Sequence, residues 1–133
     1  MSFASVRFPT DDVPGVVAFY ERALGVTAEW ATDQFAEIVT SGATIAISAT
    51  ALTDRFAAGA VAPRANGGLM LEFQVDDVDA DRDRIAALAG GLVMEPTTLP
   101  WGNRSMLFRD PEGTLLNFFT PVTPEAIARF AGR

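Results

Sequence analysis

The sequence contains no histidine, no cysteine and no lysine, and all ten of its basic residues are arginine. Without cysteine, the chain has no disulfide framework, no thiol nucleophile and no thiolate ligand for zinc. Without histidine, it has no imidazole base and no imidazole metal ligand. Without lysine, it can supply neither a Schiff base nor a P-loop lysine. An enzyme built from this sequence would therefore work with carboxylates, hydroxyls, amides, its one tyrosine or arginine.

Long apolar runs and basic patches are also absent. No stretch approaches the roughly 20 apolar residues that a membrane span needs, and the first residues lack the pattern of a signal peptide. The net charge of −7 leaves no basic surface to neutralise phosphates. We therefore expect a cytoplasmic protein that binds neither membranes nor nucleic acids. Its 133 residues, 49% of them hydrophobic, are enough for one domain with a hydrophobic core.

An internal repeat is the most informative feature of the chain. The segment FPTDDV at residues 8–13 aligns with FQVDDV at residues 73–78, at an offset of 65. Each segment precedes a helical pattern that ends in glycine, and Gly25 and Gly90 have the same offset of 65. Farther along, SGATI from position 41 aligns with EGTLL from position 112, at an offset of 71. These three anchors in one order indicate a duplicated module.

Each copy shows the pattern of one strand, one helix and three further strands. Asp12 and Asp77 are suited to cap the two helices, and Thr123 followed by Pro124 predicts a short C-terminal helix. The predicted strands are Ser5–Thr10, Thr27–Ala31, Phe35–Val39 and Ala43–Ser48 in the first copy, and Met70–Val75, Leu92–Thr98, Asn103–Arg109 and Thr114–Thr120 in the second. We predict a single domain at 1–122, with module one at 2–50, a linker at 51–67 and module two at 68–122, followed by a C-terminal helix at 123–133.

Five aspartates lie between positions 76 and 83, where the second helix begins. A calcium-binding loop is one interpretation, but no glycine or closing glutamate falls at the spacing that such a loop needs. Carboxylates at a helix N-terminus also interact favourably with the helix dipole. We therefore expect this acidic run to be structural.

Three motifs carry a resemblance to a known family. They are Asp12 followed by AFYERALG up to Gly25, the FQVDDV segment, and WGNR followed by FRDPEG up to Gly113. Together they resemble the vicinal oxygen chelate superfamily, which includes glyoxalase I, bleomycin-resistance proteins and extradiol dioxygenases. The resemblance extends from about Phe3 to Pro121. It implies an α+β fold in which two βαβββ modules in tandem form a curved eight-stranded sheet.

The resemblance also implies where a metal would bind. In the metal-dependent branches, ligands lie on the first and last strands of a module and are usually His, Gln or Glu. The motif alignment places Ser5, Ala46, Met70 and Asn117 at those positions. None of them is a usual ligand for a divalent ion. We therefore expect no metal and no other cofactor, and neither metal-dependent lyase nor dioxygenase activity.

The concave face of the implied sheet is the expected ligand site. Arg7 and Glu72 are equivalent under the repeat, and they would either form a salt bridge or face a ligand. In the second case Arg7 would bind a carboxylate, and Glu72 would bind a cation or act as a base. The candidate ligand-binding residues are Ser5, Arg7, Trp30, Met70, Glu72, Trp101, Arg104 and Asn117, with Gln74, Leu115, Phe119 and Phe35 nearby.

Two functional hypotheses follow, and a non-catalytic regulatory module is a third. The first is a metal-independent binding protein that sequesters an aromatic or cationic compound. The second is a metal-free isomerase or cyclase in which Glu72 acts as acid and base. The resemblance implies a homodimer in either case, because family members of this length usually pair.

Overall fold

The computed structural model describes residues 1–133, and the chain divides into two units. The first unit comprises residues 1–67 with 111–113, and the second comprises residues 68–110 with 114–133. Each unit contains one four-stranded mixed sheet. The order of elements in each unit is strand, helix and three strands, so the predicted α+β fold with two βαβββ modules is confirmed.

The first unit is built on a sheet with the strand order β1-β4-β3-β2. Strands β1 and β4 are parallel, whereas β4, β3 and β2 are antiparallel neighbours. Its elements are β1 (Val6–Thr10), α1 (Val13–Leu24), β2 (Glu29–Thr32), β3 (Phe35–Val39), β4 (Thr44–Ala49) and α2 (Thr50–Asp54).

The second unit repeats this arrangement with the strand order β5-β8-β7-β6. Strands β5 and β8 are parallel, and β8, β7 and β6 are antiparallel neighbours. Its elements are β5 (Met70–Gln74), α3 (Val78–Ala89), β6 (Met94–Thr98), β7 (Asn103–Arg109), β8 (Leu115–Pro121) and α4 (Pro124–Phe130).

Helices α1 and α3 begin and end where the sequence predicts, α4 begins as predicted but ends at Phe130 and not at 133, and α2 begins the segment that was predicted as a linker. The side chains of Asp12, Asp77 and Thr123 each accept a hydrogen bond from a backbone N–H in the first turn of α1, α3 and α4. Helices α1 and α3 end at Gly25 and Gly90, whose φ angles are 67° and 72°. A residue with a β-carbon adopts this left-handed conformation only at a cost, which explains glycine at both ends.

One face of each sheet packs against its helix and forms the core. In the first unit Phe8 and Ile47 lie on this face, and the buried Tyr20 ring lies 6.2 Å from the Phe8 ring. In the second unit the Phe118 ring meets that of Phe108 edge-on at 5.0 Å, beside the buried Ile85 of α3. Successive residues of a strand point to opposite faces, so the polar residues of alternate positions lie on the other face of each sheet.

Two strands begin at residues that differ from those predicted from the local sequence pattern. Strand β2 begins at Glu29 and not at Thr27, because the backbone N–H of Ala28 donates to the Glu21 carboxylate at 2.8 Å. Strand β6 begins at Met94 and not at Leu92, after Gly91, which has a φ of 131°. By contrast, β3 and β7 match their predicted bounds.

The turn between β7 and β8 is tight. Gly113 has a φ of 82°, and the N–H of Thr114 donates to the Asp110 carboxylate at 2.9 Å. This pattern of Asp, Pro and Gly reverses the chain. Among the helices, none is both long and apolar enough to cross a membrane.

Candidate functional site

The second sheet has one polar face, which we call the Glu72 face. The parallel register of β5 and β8 places Glu72 opposite Asn117 and Gln74 opposite Phe119, on the side away from α3. Strand β7 adds Ser105, opposite Phe119. The residues of the Glu72 face are Met70, Glu72 and Gln74 of β5, Leu115, Asn117 and Phe119 of β8, and Asn103, Ser105, Leu107 and Arg109 of β7.

Asn117 connects the buried and exposed parts of the Glu72 face. Its Nδ2 atom donates a hydrogen bond to Oε2 of Glu72 at 2.8 Å. Asn117 is only 7% exposed, whereas Glu72 is exposed. The amide therefore orients a carboxylate that solvent or a small molecule can reach.

Three buried oxygen atoms on the Glu72 face have no hydrogen-bond partner. They are Oδ1 of Asn117, Oγ of Ser105 and Oδ1 of Asn103, and these residues are 7%, 1% and 5% exposed. A buried polar group without a partner costs about 1–3 kcal/mol, so such groups are uncommon in folded proteins. All three lie on the side of the second sheet away from α3.

The first sheet has a corresponding polar face, crossed by a row of four residues that we call the charged row. Arg7 of β1 lies opposite Ala46 of β4, Ala46 opposite Glu37 of β3, and Glu37 opposite Glu29 of β2. Ser5 lies one residue before β1 and two residues from Arg7. Under the repeat, the pair Arg7 and Ala46 corresponds to the pair Glu72 and Asn117.

Arg7 is held in place by two neighbours. Its Nε atom donates to Oγ of Ser48 at 3.1 Å, and its Cζ atom lies 5.0 Å from the centre of the Phe35 ring. Within the first unit, Arg7 has no carboxylate partner. The side chain of Glu37, which is half-buried, forms neither a hydrogen bond nor an ion pair.

The remaining predicted residues lie elsewhere. Trp30 is opposite Ala36 and therefore on the helix-facing side of the first sheet. Trp101 lies in the turn between β6 and β7 and is 57% exposed. Arg104 is opposite Thr120, on the face of the second sheet that α3 covers. The structure therefore brings Met70, Glu72 and Asn117 together on one face, and it does not place Trp101 or Arg104 there.

Arg104 forms a two-pronged ion pair with Asp79 in the first turn of α3. Its Nε and Nη2 atoms lie 2.6 Å and 3.0 Å from the two carboxylate oxygens. The hydrogen bond from Arg104 lowers the pKa of Asp79 below its usual value, and the same contact raises the pKa of Arg104. Asp77 caps the helix, and Asp81 and Asp83 pair with arginines, so the structural interpretation of the acidic run is confirmed.

A cavity of about 310 Å³ lies at one end of the second unit. It is bounded by the ends of β5 and β8 and by the C-terminal helix α4. Its lining includes Gln74, Asp76, Thr120, Pro121, Ile127 and Phe130, and none of the eight predicted ligand residues. The cavity and the Glu72 face share only the edge residue Gln74.

Comparison with known proteins decides the family. Residues 2–118 match the family model described as the Glyoxalase/Bleomycin resistance protein/Dioxygenase superfamily. The chain belongs to this superfamily. The match covers both modules, so the resemblance that the motifs suggested is confirmed.

Solved structures of the superfamily share the fold. A glyoxalase/bleomycin resistance protein/dioxygenase from Nocardioides is 19% identical with a TM-score of 0.76, over 93% of this chain and 85% of that chain. A glyoxalase/bleomycin resistance protein/dioxygenase family enzyme from Burkholderia phytofirmans PsJN is 19% identical with a TM-score of 0.76, over 90% and 98%. A glyoxalase-related enzyme from Fulvimarina pelagi is 14% identical with a TM-score of 0.75, over 94% of both chains. No curated protein matches the sequence.

The residues at the superfamily's metal positions do not fit a divalent ion. Ala46 has no donor atom, Met70 carries a thioether, and Nδ2 of Asn117 is engaged with Glu72. Ser5 and Asn117 supply only neutral oxygen atoms, which do not offset a double positive charge. No group of three His, Cys, Asp or Glu side chains in the chain could hold a metal ion.

Several residues of the two polar faces were not identified from the sequence. Glu37 and Ser48 of the first sheet, and Asn103 and Ser105 of the second, lie on the same faces as the predicted residues. The alternation of Phe35, Glu37 and Val39 along β3 is the signal that could have identified Glu37. Nothing local marks Ser48 or Ser105, because serine on a strand is usually a solvated position.

Proposed function

We propose that this chain is a metal-independent small-molecule-binding protein that sequesters a cationic compound with an apolar body on the Glu72 face. The observation that supports this proposal most directly is the exposed Glu72 carboxylate, which is held by Nδ2 of Asn117 while Oδ1 of Asn117 has no partner. The residues at the superfamily's metal positions, which lack the usual ligand side chains, support the proposal that the protein binds its ligand without a metal.

The chemistry of the Glu72 face favours a ligand that donates hydrogen bonds. An ionised carboxylate only accepts hydrogen bonds, and so does the Oδ1 atom of an asparagine amide. Glu72 and Asn117 therefore suit N–H groups, and a cationic N–H group forms the stronger bond to Glu72. Leu107 and Leu115, which are half-buried, provide apolar surface on the same face for the body of the ligand.

The alternative is a metal-free isomerase or cyclase in which Glu72 gains and loses a proton. Two observations weigh against it. Glu72 is exposed, and the Asn117 amide donates to it. An exposed carboxylate that is held by a hydrogen bond suits a fixed acceptor at a binding site.

We further propose that the chain forms a homodimer. Large apolar side chains are exposed in both units, among them Trp30, Val39, Trp101 and Ile127. Exposed apolar surface of this kind is common at protein interfaces. Analytical ultracentrifugation should give a mass of two chains, and a single-chain mass over the micromolar range would contradict the dimer. The cytoplasmic location stays a prediction from the sequence.

A pair of probes with the same ring tests the binding function. Tryptamine carries an ammonium group, whereas indole-3-acetate carries a carboxylate. We expect tryptamine to raise the melting temperature and indole-3-acetate to leave it unchanged, because a ligand of the native state stabilises it. Isothermal titration calorimetry should show tighter binding of tryptamine to the wild-type protein than to Glu72→Gln.

The control variant also removes one negative charge, but at a position outside the Glu72 face. Glu125 lies in the first turn of α4 and is exposed, so Glu125→Gln should bind tryptamine as the wild-type protein does. Equal stabilisation by both probes, or full tryptamine binding by Glu72→Gln, would contradict the proposal. Turnover of a substrate by the wild-type protein that Glu72→Gln abolishes would instead favour the isomerase alternative.

A further inference from the structure

We infer that the cavity at the end of the second unit, which we call the α4 cavity, binds a small arylamidine, a flat ring that carries a cationic amidine group. The α4 cavity is a different site from the one proposed above, because it shares only the edge residue Gln74 with the Glu72 face. The observation that carries the inference is a carboxylate without a partner, that of Asp76, which lines the same space as the apolar side chains of Ile127 and Phe130.

The sheet side of the α4 cavity is held by hydrogen bonds around Thr120. The Thr120 hydroxyl donates to the carbonyl of Val75 at 3.0 Å and accepts from the N–H of Val78 at 3.0 Å. The N–H of Val75 in turn donates to the carbonyl of Phe119 at 2.9 Å. These bonds fix the connection between β5 and α3, which contains Asp76. The backbone that carries the carboxylate is therefore in place before a ligand binds, and this lowers the entropic cost of binding.

The helix side of the α4 cavity is held at both ends of α4. At the beginning, the N–H groups of Val122 and Thr123 donate to the carbonyl of Gly102 at 2.9 Å and 3.3 Å. At the end, the ring of Phe130 packs against that of Phe119, with the ring centres 5.0 Å apart. Both walls of the cavity are thus fixed, as a preformed ligand site requires.

The lining of the α4 cavity selects the polar group of the ligand. The side chains of Asp76 and Gln74 have no hydrogen-bond partner. The two parallel N–H groups of an amidine match the two oxygens of the Asp76 carboxylate, as those of a guanidinium do. The side-chain oxygen of Gln74 is a further acceptor. The apolar lining residues are Val75, Pro121, Ile127, Phe130 and Ala131.

The size of the α4 cavity fits a ligand with a single ring. Its volume of about 310 Å³ lies at the lower end of the range of roughly 300–1,000 Å³ that is usual for small-molecule sites. Ile127 is 54% exposed. A ring packed against Ile127 and Phe130 would remove part of this apolar surface from water, which favours binding.

Two arginines near the α4 cavity provide the opposite charge. The Cζ atoms of Arg129 and Arg133 lie 4.8 Å and 5.6 Å from the centre of the Phe130 ring, and neither guanidinium pairs with a carboxylate. Neither arginine lines the cavity, whereas Asp76 does. We therefore assign the charge preference of the cavity to Asp76, and an aryl carboxylate is the probe that tests this assignment.

Three probes with the same ring test this inference. Benzamidine is a cation with two parallel N–H groups, benzylamine is a cation without them, and benzoate is an anion. In backbone amide NMR titrations we expect benzamidine to shift the signals of Asp76, Thr120 and Ile127. Benzylamine should bind about threefold more weakly and benzoate at least about tenfold more weakly, because the first loses the two-pronged contact and the second loses the attraction to Asp76.

Variants of the two walls assign the contacts. Asp76→Asn should weaken benzamidine binding at least about tenfold, because it removes the charged acceptor. Ile127→Ala should weaken it about threefold, because it removes apolar contact area. Both residues are exposed, so both variants are expected to fold. Asp33→Asn, in the exposed turn between β2 and β3, is the matched charge control and should bind benzamidine as the wild-type protein does.

Several outcomes would overturn the inference. Benzoate binding as tightly as benzamidine, or full benzamidine binding by Asp76→Asn, would show that Asp76 does not select the ligand. Benzylamine binding as tightly as benzamidine would refute the two-pronged contact. Amide shifts confined to Glu72, Ser105 and Asn117 would place benzamidine on the Glu72 face. Benzamidine binding is tested with Asp76→Asn and tryptamine binding with Glu72→Gln, so failure of this inference is distinguishable from failure of the proposed function.

Discussion

Asn117 donates a 2.8 Å hydrogen bond from Nδ2 to Glu72, while its own Oδ1 atom is buried without a partner. The bond to Glu72 shows which end of the amide is the nitrogen, because a carboxylate can only accept a hydrogen bond and the atom that faces it must be a donor. The amide of Asn117 thus has one group with a hydrogen-bond partner and one buried group without a partner. The group without a partner lowers the stability of the unbound protein, and we expect such a residue to serve ligand binding instead.

The first prediction concerns Asn117→Leu. Leucine has a similar volume and removes the unpaired oxygen, which offsets the loss of about 1 kcal/mol from the bond to Glu72. We expect the free energy of unfolding, measured in urea, to stay the same or to rise by about 1 kcal/mol. Tryptamine binding should be lost. A loss of more than about 2 kcal/mol in stability would contradict the view that Oδ1 is unsatisfied.

The neighbouring residue Leu116 is the comparison for this variant. It lies on the helix-facing side of β8 and is fully buried. Leu116→Ala should lower the free energy of unfolding by about 2–5 kcal/mol, because it leaves a cavity in the core. Substitutions at these two adjacent positions of β8 should therefore differ in their effect on the free energy of unfolding.

The second prediction concerns the pH dependence of the pair Arg104 and Asp79. The pKa of Asp79 is lower in the folded protein than its usual value, chiefly through the hydrogen bond from Arg104. The pair therefore stabilises the fold above the usual aspartate pKa of about 3.9, and this stabilisation is lost as the pH falls through the lowered folded pKa. In Arg104→Gln, an NMR titration should show that the pKa of Asp79 rises.

Melting temperatures at low salt provide the second measurement. Between pH 7 and pH 3, Arg104→Gln should lose less thermal stability than the wild-type protein, and Arg55→Gln, an exposed arginine of the first unit, should follow the wild type. Salt near 1 M should reduce the difference, since both side chains are partly exposed and screened. An unchanged Asp79 titration in Arg104→Gln would refute the assigned cause.

The third prediction concerns Gly102, which has a φ of 92°. A β-carbon there would collide with Oγ1 of Thr123 and approach Ala126, at the beginning of α4. Gly102→Ala should therefore destabilise the protein by about 1–3 kcal/mol and loosen α4. Gly67→Ala is the control, because its β-carbon would meet no atom within 4 Å. Urea denaturation of both variants checks the prediction, and equal stabilities would argue against strain at Gly102.

The fourth prediction concerns metals. The protein purified without chelator should contain less than stoichiometric divalent metal by elemental analysis. Treatment with EDTA should change neither the melting temperature nor tryptamine binding, because Ser5, Ala46, Met70 and Asn117 lack anionic donors. One equivalent of metal that is lost in Asn117→Leu would refute this prediction.

Much of the fold was predictable because its signals are local. Asp12 and Gly25 bound the first helix through a cap and a left-handed residue, both of which depend on a few neighbouring atoms. The alternation of apolar residues along β1 and β5 identified the core faces for the same reason. The predicted start of β2 was wrong, because the backbone N–H of Ala28 donates to the carboxylate of Glu21, seven positions away in the sequence.

The candidate site was predictable only in part. The repeat made Glu72 equivalent to Arg7 and Asn117 equivalent to Ala46, whereas the position of Glu72 opposite Asn117 was given only by the register of β5 and β8. The interpretation of Arg104 depended on which face of β7 it occupied, and the strand register places it beside Asp79 of α3. The alternation along β3 could have identified Glu37 as a residue of the polar face, but only the pairing of three strands brings it into the same row as Arg7.

The sequence by itself determined the duplicated βαβββ order, the ends of α1 and α3, and the absence of His, Cys and Lys. These are properties of residue type and spacing along the chain. The tertiary structure alone decided which polar atoms are buried without partners and which charges stay unpaired. Burial and pairing depend on neighbours supplied by other elements, so the unpaired Oδ1 of Asn117 beside Glu72 and the ion pair between Arg104 and Asp79 become visible only once the chain has folded.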